Sequence, residues 1–288
     1  MIKMISQIQT LLPWYNPGVE LHQIRDRKKL AAYFRQDLPL HAYSLGDLDD
    51  FYWPKTTFYG EILGKEISRV TLLYHGEGLP VLLALGPEGF FGDDYYHSLS
   101  PLLPDPFYAH FSPGLEKYFL EDYQIDDHGE HYKMDLVEPG DFGKTSSKSP
   151  FRLNANHLPE LQKLFHQSYP ENAFDPRMLS TGRYYGYQFG GELVSVAGVH
   201  VYSSRYRVAA LGNITTHPDH RNRGFARLVT AHLCRDLVGE VDTIGLNVKA
   251  DNAPAIHLYQ SLGFKIAAKY GEFSLKKRFL PLNFLEKG

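Results

Sequence analysis

The stretch from Gly212 to Ala226, GNITTHPDHRNRGFA, constrains this chain more than any other. A β-branched run, Ile214-Thr215-Thr216, meets His217-Pro218. Pro218 ends the strand because it has no N–H to donate to a ladder. Arg221-Asn222-Arg223-Gly224-Phe225-Ala226 follows, and a helical stripe begins at once with Phe225, Leu228, Val229, Leu233 and Leu237, closed by Gly239. The order strand, tight basic loop, helix calls for an α/β chain with a ligand at the turn. The first-turn N–H groups of a helix lack intrahelical partners, and the helix dipole adds positive potential there. Phosphate oxygens satisfy both. Gly224 lets backbone come close, Ala226 is small, and Arg221, Arg223 and Arg227 add charge suited to a polyphosphate. A plain strand–turn–helix with a solvated basic loop has the same outline.

A second segment begins after the alternating strand Ile244-Leu246-Val248. Asp251 or Asn252 can cap the next helix, and Pro254 suits its first turn. Ala255, Leu258, Tyr259 and Leu262 share one face, with Asn252 seven residues before Tyr259, and Gly263 ends the helix. Taken alone, Tyr259 reads as a core tyrosine.

Together these segments resemble the GCN5-related N-acetyltransferase (GNAT) superfamily. Its motif Arg/Gln-x-x-Gly-x-Gly/Ala reads here Arg221-Asn222-Arg223-Gly224-Phe225-Ala226, and its following Asn, Ala, Tyr, Gly-Phe reads Asn252, Ala255, Tyr259, Gly263-Phe264. The match spans roughly residues 151–275, and the wording LNVKADNAPAIHLYQSLGF looks closest to the FR47-like, glycine N-acyltransferase-like branch. The resemblance implies acetyl-CoA or another acyl-CoA as cofactor. It assigns the pyrophosphate to the turn at Arg221, with the backbone amides of Asn222, Arg223, Gly224, Phe225, Ala226 and Arg227. It assigns the pantetheine arm to the strand end Ile214, Thr215 and Thr216, and to Asn252. Tyr259 would give a proton to the departing thiolate. Chemistry agrees: an oxyanion needs a donor such as a backbone N–H near Thr215, and a tyrosine is protonated at neutral pH. His200, His217 and Glu192 are candidate bases, with His217 read first as a surface loop histidine.

The rest of the chain sets the frame. Glu138 to Pro150, EPGDFGKTSSKSP, has linker composition, so the chain is divided into residues 1–137, a linker 138–150, and a catalytic unit 151–288. In the first half a helix is expected at Arg27–Arg35, strands at Thr57–Leu63, Arg69–Tyr74 and Pro80–Leu85, and a helix at Asp94–Leu99. A strand at Phe107–Phe111, a short helix at Gly114–Leu120, and a hairpin over Tyr123–Val137 turning near Asp127-His128-Gly129 complete it. In the second half a strand at Phe151–Leu153 and a helix at Leu158–Phe165 precede strands at Tyr184–Phe189, Leu193–His200 and Arg207–Thr216. Then come a helix at Phe225–Leu237, a strand at Thr243–Val248, a helix at Ala253–Leu262 and a strand at Phe264–Leu275. Both halves share one order, which predicts an α/β mixed-sheet fold made of two tandem copies. The first copy is degenerate at the cofactor turn.

The formal net charge of −3 gives no global basic field for nucleic acid, and the same balance argues against a tRNA-dependent transferase. One cysteine, Cys234, excludes an intrachain disulfide and suits a cytoplasmic protein; it is expected as a packed thiol. Met1 to Leu12 alternates apolar and polar residues, unlike a signal peptide, and no run is long enough for a membrane helix. Gly143-Lys144-Thr145 lacks the preceding glycine of a P-loop. The cluster Asp126 to His131 reads as a solvated hairpin tip rather than a metal site, and no Gly-x-Ser-x-Gly elbow is present. The expectation is an enzyme acylating a small-molecule amine, as monomer or homodimer, without metal, nucleic acid or membrane partners. The competing expectation is a non-catalytic acyl-CoA-binding module.

Overall fold

The computed structural model describes residues 19–76, 78–87, 89–140, 142 and 149–278. The N-terminal segment Met1 to Leu12 and the Gly143-Lys144-Thr145 tripeptide lie outside them. The first half runs β1 (Leu21–Gln23), α1 (Arg27–Phe34), α2 (Leu38–Gly46), β2 (Thr56–Leu63), β3 (Glu66–Tyr74), β4 (Val81–Ala84), α3 (Asp93–Leu99), β5 (Phe107–Phe111) and β6 (Tyr123–Leu136). The second runs β7 (Phe151–Arg152), α4 (Leu158–Ser168), β8 (Tyr185–Phe189), β9 (Glu192–Ser203), β10 (Val208–Thr216), α5 (Phe225–Leu237), β11 (Thr243–Lys249), α6 (Ala253–Ser261) and β12 (Phe264–Lys277). The expected short helix near Gly114–Leu120 is a 3-10 turn at Glu116–Phe119.

All twelve strands form one mixed sheet, in the order β1-β2-β3-β4-β5-β12-β6-β11-β10-β9-β8-β7. Among the described strands, β4/β5 and β10/β11 are the parallel pairs. Read inward from each end, the two halves repeat the same arrangement and then exchange their last strands. β12 of the second half pairs with β5 of the first, and β6 of the first half pairs with β11 of the second. β6 and β12 pair with each other from Phe264/Leu136 to Lys277/Tyr123. Each fifth strand would otherwise present an open edge, and the exchanged strand covers it. The linker in the sequence is therefore not a seam in the sheet.

One expectation is corrected here. Tyr123–Val137 is not a hairpin but a single long strand. The Asp127-His128-Gly129 signal marks a bulge. Glu272 faces Gly129 and Phe273 faces Asp127, so His128 is the extra residue, and Gly129 has φ +93°.

Helix α2 is absent from the expectations. Six of its nine residues are buried, Leu40, His41, Ala42, Ser44, Leu45 and Gly46, and a helix covered nearly all round shows no amphipathic period. Asp37 caps it by accepting from Leu40 N at 3.1 Å, and a proline falls in its first turn. A Cβ on Gly46 would come within 2.0 Å of Val201, so the glycine lets α2 lie directly against β9.

The second half has the larger core. Leu161, Leu164 and Phe165 of α4 and Val229, Leu233, Cys234 and Leu237 of α5 pack on Val196, Val199, Leu211, Ile244, Leu246 and Met134. Cys234 is the packed thiol expected, and burial pushes its pKa up to about 12. A separate cluster joins the halves: Leu30, Phe34 and Leu45 pack with Tyr206, Val208 and Tyr270.

Candidate active site

Strands β10 and β11 pair only from Val208/Thr243 to Leu211/Leu246. Beyond that point β10 continues to Thr216 and β11 to Lys249 with no pairing between them. On its other side β10 remains tied to β9: Gly212 pairs with Gly198, Thr215 with Val196 and Thr216 with Ser195. The shift between Gly212 and Thr215 is a bulge centred on Asn213, buried with φ +53°, whose side-chain amide donates to the Tyr184 hydroxyl at 2.9 Å. The Ser195 hydroxyl donates to Thr215 O at 3.1 Å and bonds the Thr216 hydroxyl at 2.8 Å. Ile214, Thr215 and Thr216 thus present an anchored strand edge along the parting, a site for an extended ligand to add as a strand.

The turn after this edge is a 3-10 segment, Pro218–His220, then Arg221 to Gly224. Asn222 and Gly224 both have positive φ, +60° and +78°. Gly224 caps α5 with no side-chain hydrogen bond to the first-turn N–H groups. A Cβ there would meet nothing within 4 Å, so the glycine serves the left-handed backbone, and open space lies beside it. Arg221, Asn222, Arg223 and Arg227 are exposed, while Phe225 and Ala226 are half-buried. Arg221 Nε donates to Thr216 O at 3.3 Å, fastening turn to strand. The Phe225 ring packs 4.8 Å from Tyr187 and 5.6 Å from Phe189, and the Arg223 guanidinium sits 5.5 Å over Phe189. An uncapped helix start ringed by arginines fits a pyrophosphate.

At α6, Asn252 is the N-cap: its side-chain oxygen accepts from Ala255 N at 3.3 Å. That oxygen already accepts one bond from the helix, and the amide nitrogen has no bond to another described residue and is free to donate to a ligand. Tyr259 is 8% exposed and packs edge-on to Phe264. Its hydroxyl has no hydrogen-bond partner among the described residues. Burial, with Tyr169 and Cys234 nearby, pushes its pKa well above the ordinary tyrosine value. It therefore stays protonated at any physiological pH.

The other candidate bases separate. His217 Nδ1 accepts from Asp219 N at 3.3 Å and caps the 3-10 turn. Glu192 sits at the far end of the β8–β9 hairpin, facing Lys163 at 3.5 Å. His200 lies against the β10 bulge, where a Cβ on Gly212 would overlap its ring. Burial lowers its pKa to about 4, so it is neutral.

Sequence reasoning missed a polar cluster, drawn from both halves, on the opposite face of the sheet. The Tyr43 hydroxyl of α2 reaches Leu211 O at 3.5 Å, where β10 and β11 part. Lys133 of β6 donates to Asn247 Oδ1 at 3.3 Å, and its ammonium stands 4.9 Å from the Tyr43 ring centre and 5.0 Å from that of Tyr270. Burial lowers its pKa to about 8. Glu272 accepts from the hydroxyls of Tyr108 at 2.5 Å and Tyr270 at 2.7 Å. It also faces His110 and His131, each at 3.5 Å. Burial alone would raise the Glu272 pKa, but these imidazoles and hydroxyls outweigh it and hold the value down. Burial lowers His110 to about 4, and its buried Nδ1 has no hydrogen-bond partner among the described residues. Asp126, Asp127, His128 and Glu130 are exposed, as the reading of that cluster as solvated expects, but two residues past its end Lys133 is only 2% exposed. The one available signal was alternation: His131, Lys133 and Asp135 fall on one face of a strand.

The first half holds the counterpart of the parting, and it is shut. After the last β4/β5 pair, Ala84/Phe111, the Ser112 hydroxyl donates to Gly86 O at 2.7 Å and accepts from Gly86 N at 2.8 Å. The helix that follows starts with Asp93 and Asp94, where α5 has none of the acidic residues in its first turn. An anion is repelled at this turn and attracted at the other.

Among the described residues no group of three or more His, Cys, Asp or Glu could hold a metal ion.

Residues 192–271 match the family model for FR47-like protein. The ribosomal protein bS18-alanine N-acetyltransferase of Salmonella typhimurium is 39% identical over 74 residues, 25% of this chain and 46% of that enzyme. The L-amino acid N-acyltransferase of Escherichia coli strain K12 is 32% identical over 78 residues, 26% of this chain and 44% of its own length. The chain thus spans about half the length of the curated relatives it matches. A tandem GNAT protein from the clavulanic acid biosynthesis pathway superposes with a TM-score of 0.53 at 14% identity, covering 91% of this chain and 99% of its own. That likeness establishes the α/β tandem GNAT fold across most of the chain.

Proposed function

Since residues 192–271 form an FR47-like domain of the GNAT superfamily, we propose that this protein moves an acyl group, acetyl first of all, from coenzyme A to the primary amine of a small molecule or peptide. The observation that carries the reading is the parting of β10 and β11 next to an uncapped helix N-terminus surrounded by Arg221, Arg223 and Arg227. The turn from Asn222 to Arg227 would hold the pyrophosphate, and the edge Ile214 to Thr216 would pair with the pantetheine amides. The amide nitrogen of Asn252 would reach the same arm. Acyl-CoA, when bound, supplies an activated thioester.

The chain's own groups then have defined tasks. Backbone N–H groups at the β10 bulge, near Thr215, stabilise negative charge developing on the carbonyl oxygen. The amine nitrogen forms a bond to the carbonyl carbon as the carbon–sulfur bond breaks. Tyr259 donates its proton to the departing sulfur and recovers one from the nitrogen through solvent, so one proton passes overall from amine to thiol. By the same reading the enzyme works in the cytosol, as monomer or homodimer.

Calorimetric titration of acetyl-CoA tests the proposal, with an Arg223→Glu, Gly224→Asp double variant alongside. Tight one-to-one binding to the wild type, lost in the variant, is expected, followed by CoA release with an amine. No binding to the wild type would end the reading. Binding without release for any amine would leave an acyl-CoA-binding module instead.

A further inference from the structure

Asp47 follows directly on α2 and is 5% exposed. Its carboxyl has no hydrogen bond or ion pair with any described residue, and burial is what acts on it. The sealed polar atoms without a partner among the described residues are His110 Nδ1, Asn213 Oδ1, His220 Nδ1 and Thr230 Oγ1. The Asp47 oxygens are not among them, so they border open space. The cations in this region are already taken. Tyr74 feels the charges of Asp47, Arg177 and Asp175 alike. Arg177 donates to Asp175 at 2.7 Å, and Lys55 lies 3.7 Å from the same carboxylate. Lys133 has Glu272 acting on it. A buried carboxylate without an opposite charge takes up a proton instead, and burial raises Asp47 from 3.8 to about 8.

The place of this carboxyl is specific. Asp47 N donates to Tyr43 O at 2.9 Å, so the helical turn runs on to it, and Tyr43 and Asp47 share a face. The Tyr43 hydroxyl reaches Leu211 O, on the last β10 residue paired with β11. Asp47 therefore stands one turn, about 6 Å of helix rise, from the residue that touches the parting. The hydroxyls of Tyr43, Tyr52 and Tyr74 all feel its charge. We infer that the acceptor is an aliphatic diamine, with one nitrogen acylated at the parting and the other bound as an ammonium by Asp47. This rests on the acyl-transfer reading above and narrows its substrate class.

The chemistry of the group selects the ligand. An ammonium has three donors and no acceptor. A carboxylate and phenol oxygens accept from it, and tyrosine ring faces attract the same charge. A divalent metal ion would want six or more oxygens, and among the described residues no group of three acidic, imidazole or thiol ligands is present. An opposite charge nearby lowers a carboxyl pKa by about 1–3. An ammonium would thus bring Asp47 down from about 8 to neutral pH or below, and the ion pair forms inside the protein. An extended chain of about four or five carbons between the nitrogens matches one helical turn. Other groups gain nothing here: a carboxylate is repelled, and a methyl group leaves Asp47 protonated.

The test compares putrescine, the terminal diamine of butane, with pentylamine, which has as many heavy atoms and a methyl group in place of one ammonium. Both are tried on the wild type and on Asp47→Asn, which keeps the shape of the protonated acid and cannot ionise. Two readouts are used: CoA release with acetyl-CoA, and direct calorimetric binding of each amine. The wild type should prefer putrescine by about 100-fold in kcat/KM. Asp47→Asn should raise KM for putrescine by about 30-fold with kcat within about threefold, and should erase the preference. Acetyl-CoA binding by the variant verifies its folding. Equal use of the two amines by the wild type overturns the inference, as does a preference that survives Asp47→Asn or a wild type that does not bind putrescine. A wild type that binds putrescine, loses that binding in Asp47→Asn and releases no CoA would retain the cation site and remove the transfer reading. One that acylates pentylamine as readily as putrescine would do the reverse.

Discussion

The hydroxyl of Tyr43 stands 3.5 Å from the carbonyl oxygen of Leu211. Tyr43 belongs to the first half of the chain, and Leu211 is the last residue of β10 to pair with β11. The contact brings the first half to the mouth of the cleft that the second half opens. Lys133, from the exchanged strand β6, does the same from the floor. In the proposed reading, the half with the recognisable motifs would supply the cofactor turn, and the other half the opposite wall.

Tyr259 is buried, protonated and without a hydrogen-bond partner among the described residues. Tyr259→Phe keeps the ring packed on Phe264 and deletes only the proton donor. Steady-state kinetics should show kcat reduced by about 100-fold, with KM for acyl-CoA changed by less than about twofold. An unchanged kcat removes Tyr259 from the chemistry.

The second half should not fold alone. Without β6, the facing edges of β11 and β12 lose their shared partner, and Met134 leaves the core. Residues 149–278 expressed by themselves should aggregate or lack a cooperative thermal transition, while co-expression with 19–140 should restore a soluble complex. A monomeric, cooperatively melting 149–278 fragment would show that the exchanged strand is dispensable.

Stability should fall on mild acidification. Burial depresses His41 to about 3, with Lys133 adding to the effect, and it depresses His110 and His200 to about 4, against an ordinary 6.5. Between pH 6.5 and 4 the unfolded chain binds protons that the folded chain refuses, so acid favours unfolding. Asp47 opposes this: burial raises it from 3.8 to about 8, so the folded chain keeps a proton there that the unfolded chain releases. Three histidines against one aspartate leave a net slope of about 2–3 kcal/mol per pH unit near pH 5. Urea midpoints measured from pH 7 to 5 should fall accordingly, and Asp47→Asn should steepen the slope. A flat profile would mean that these histidines protonate without unfolding.

Much of this molecule could be read from local sequence. The strand ending at Pro218, the turn to Gly224, the stripe of α5 and the Asn252 cap are set by residues a few positions apart, through proline's missing donor, glycine's left-handed backbone and helical period. Helix α2 could not be read that way, because burial on nearly all sides erases the periodic contrast that marks a helix. Nor could β6, since a bulge at His128 and Gly129 uses the same residues as a turn. The exchange of β6 and β12 was beyond local reading altogether: backbone N–H and C=O groups are the same in every strand, so a strand's partner is chosen by packing across the whole sheet. That choice alone set Lys133, on a segment expected to be a hairpin, as a buried cation beside Asn247 between β11 and β12.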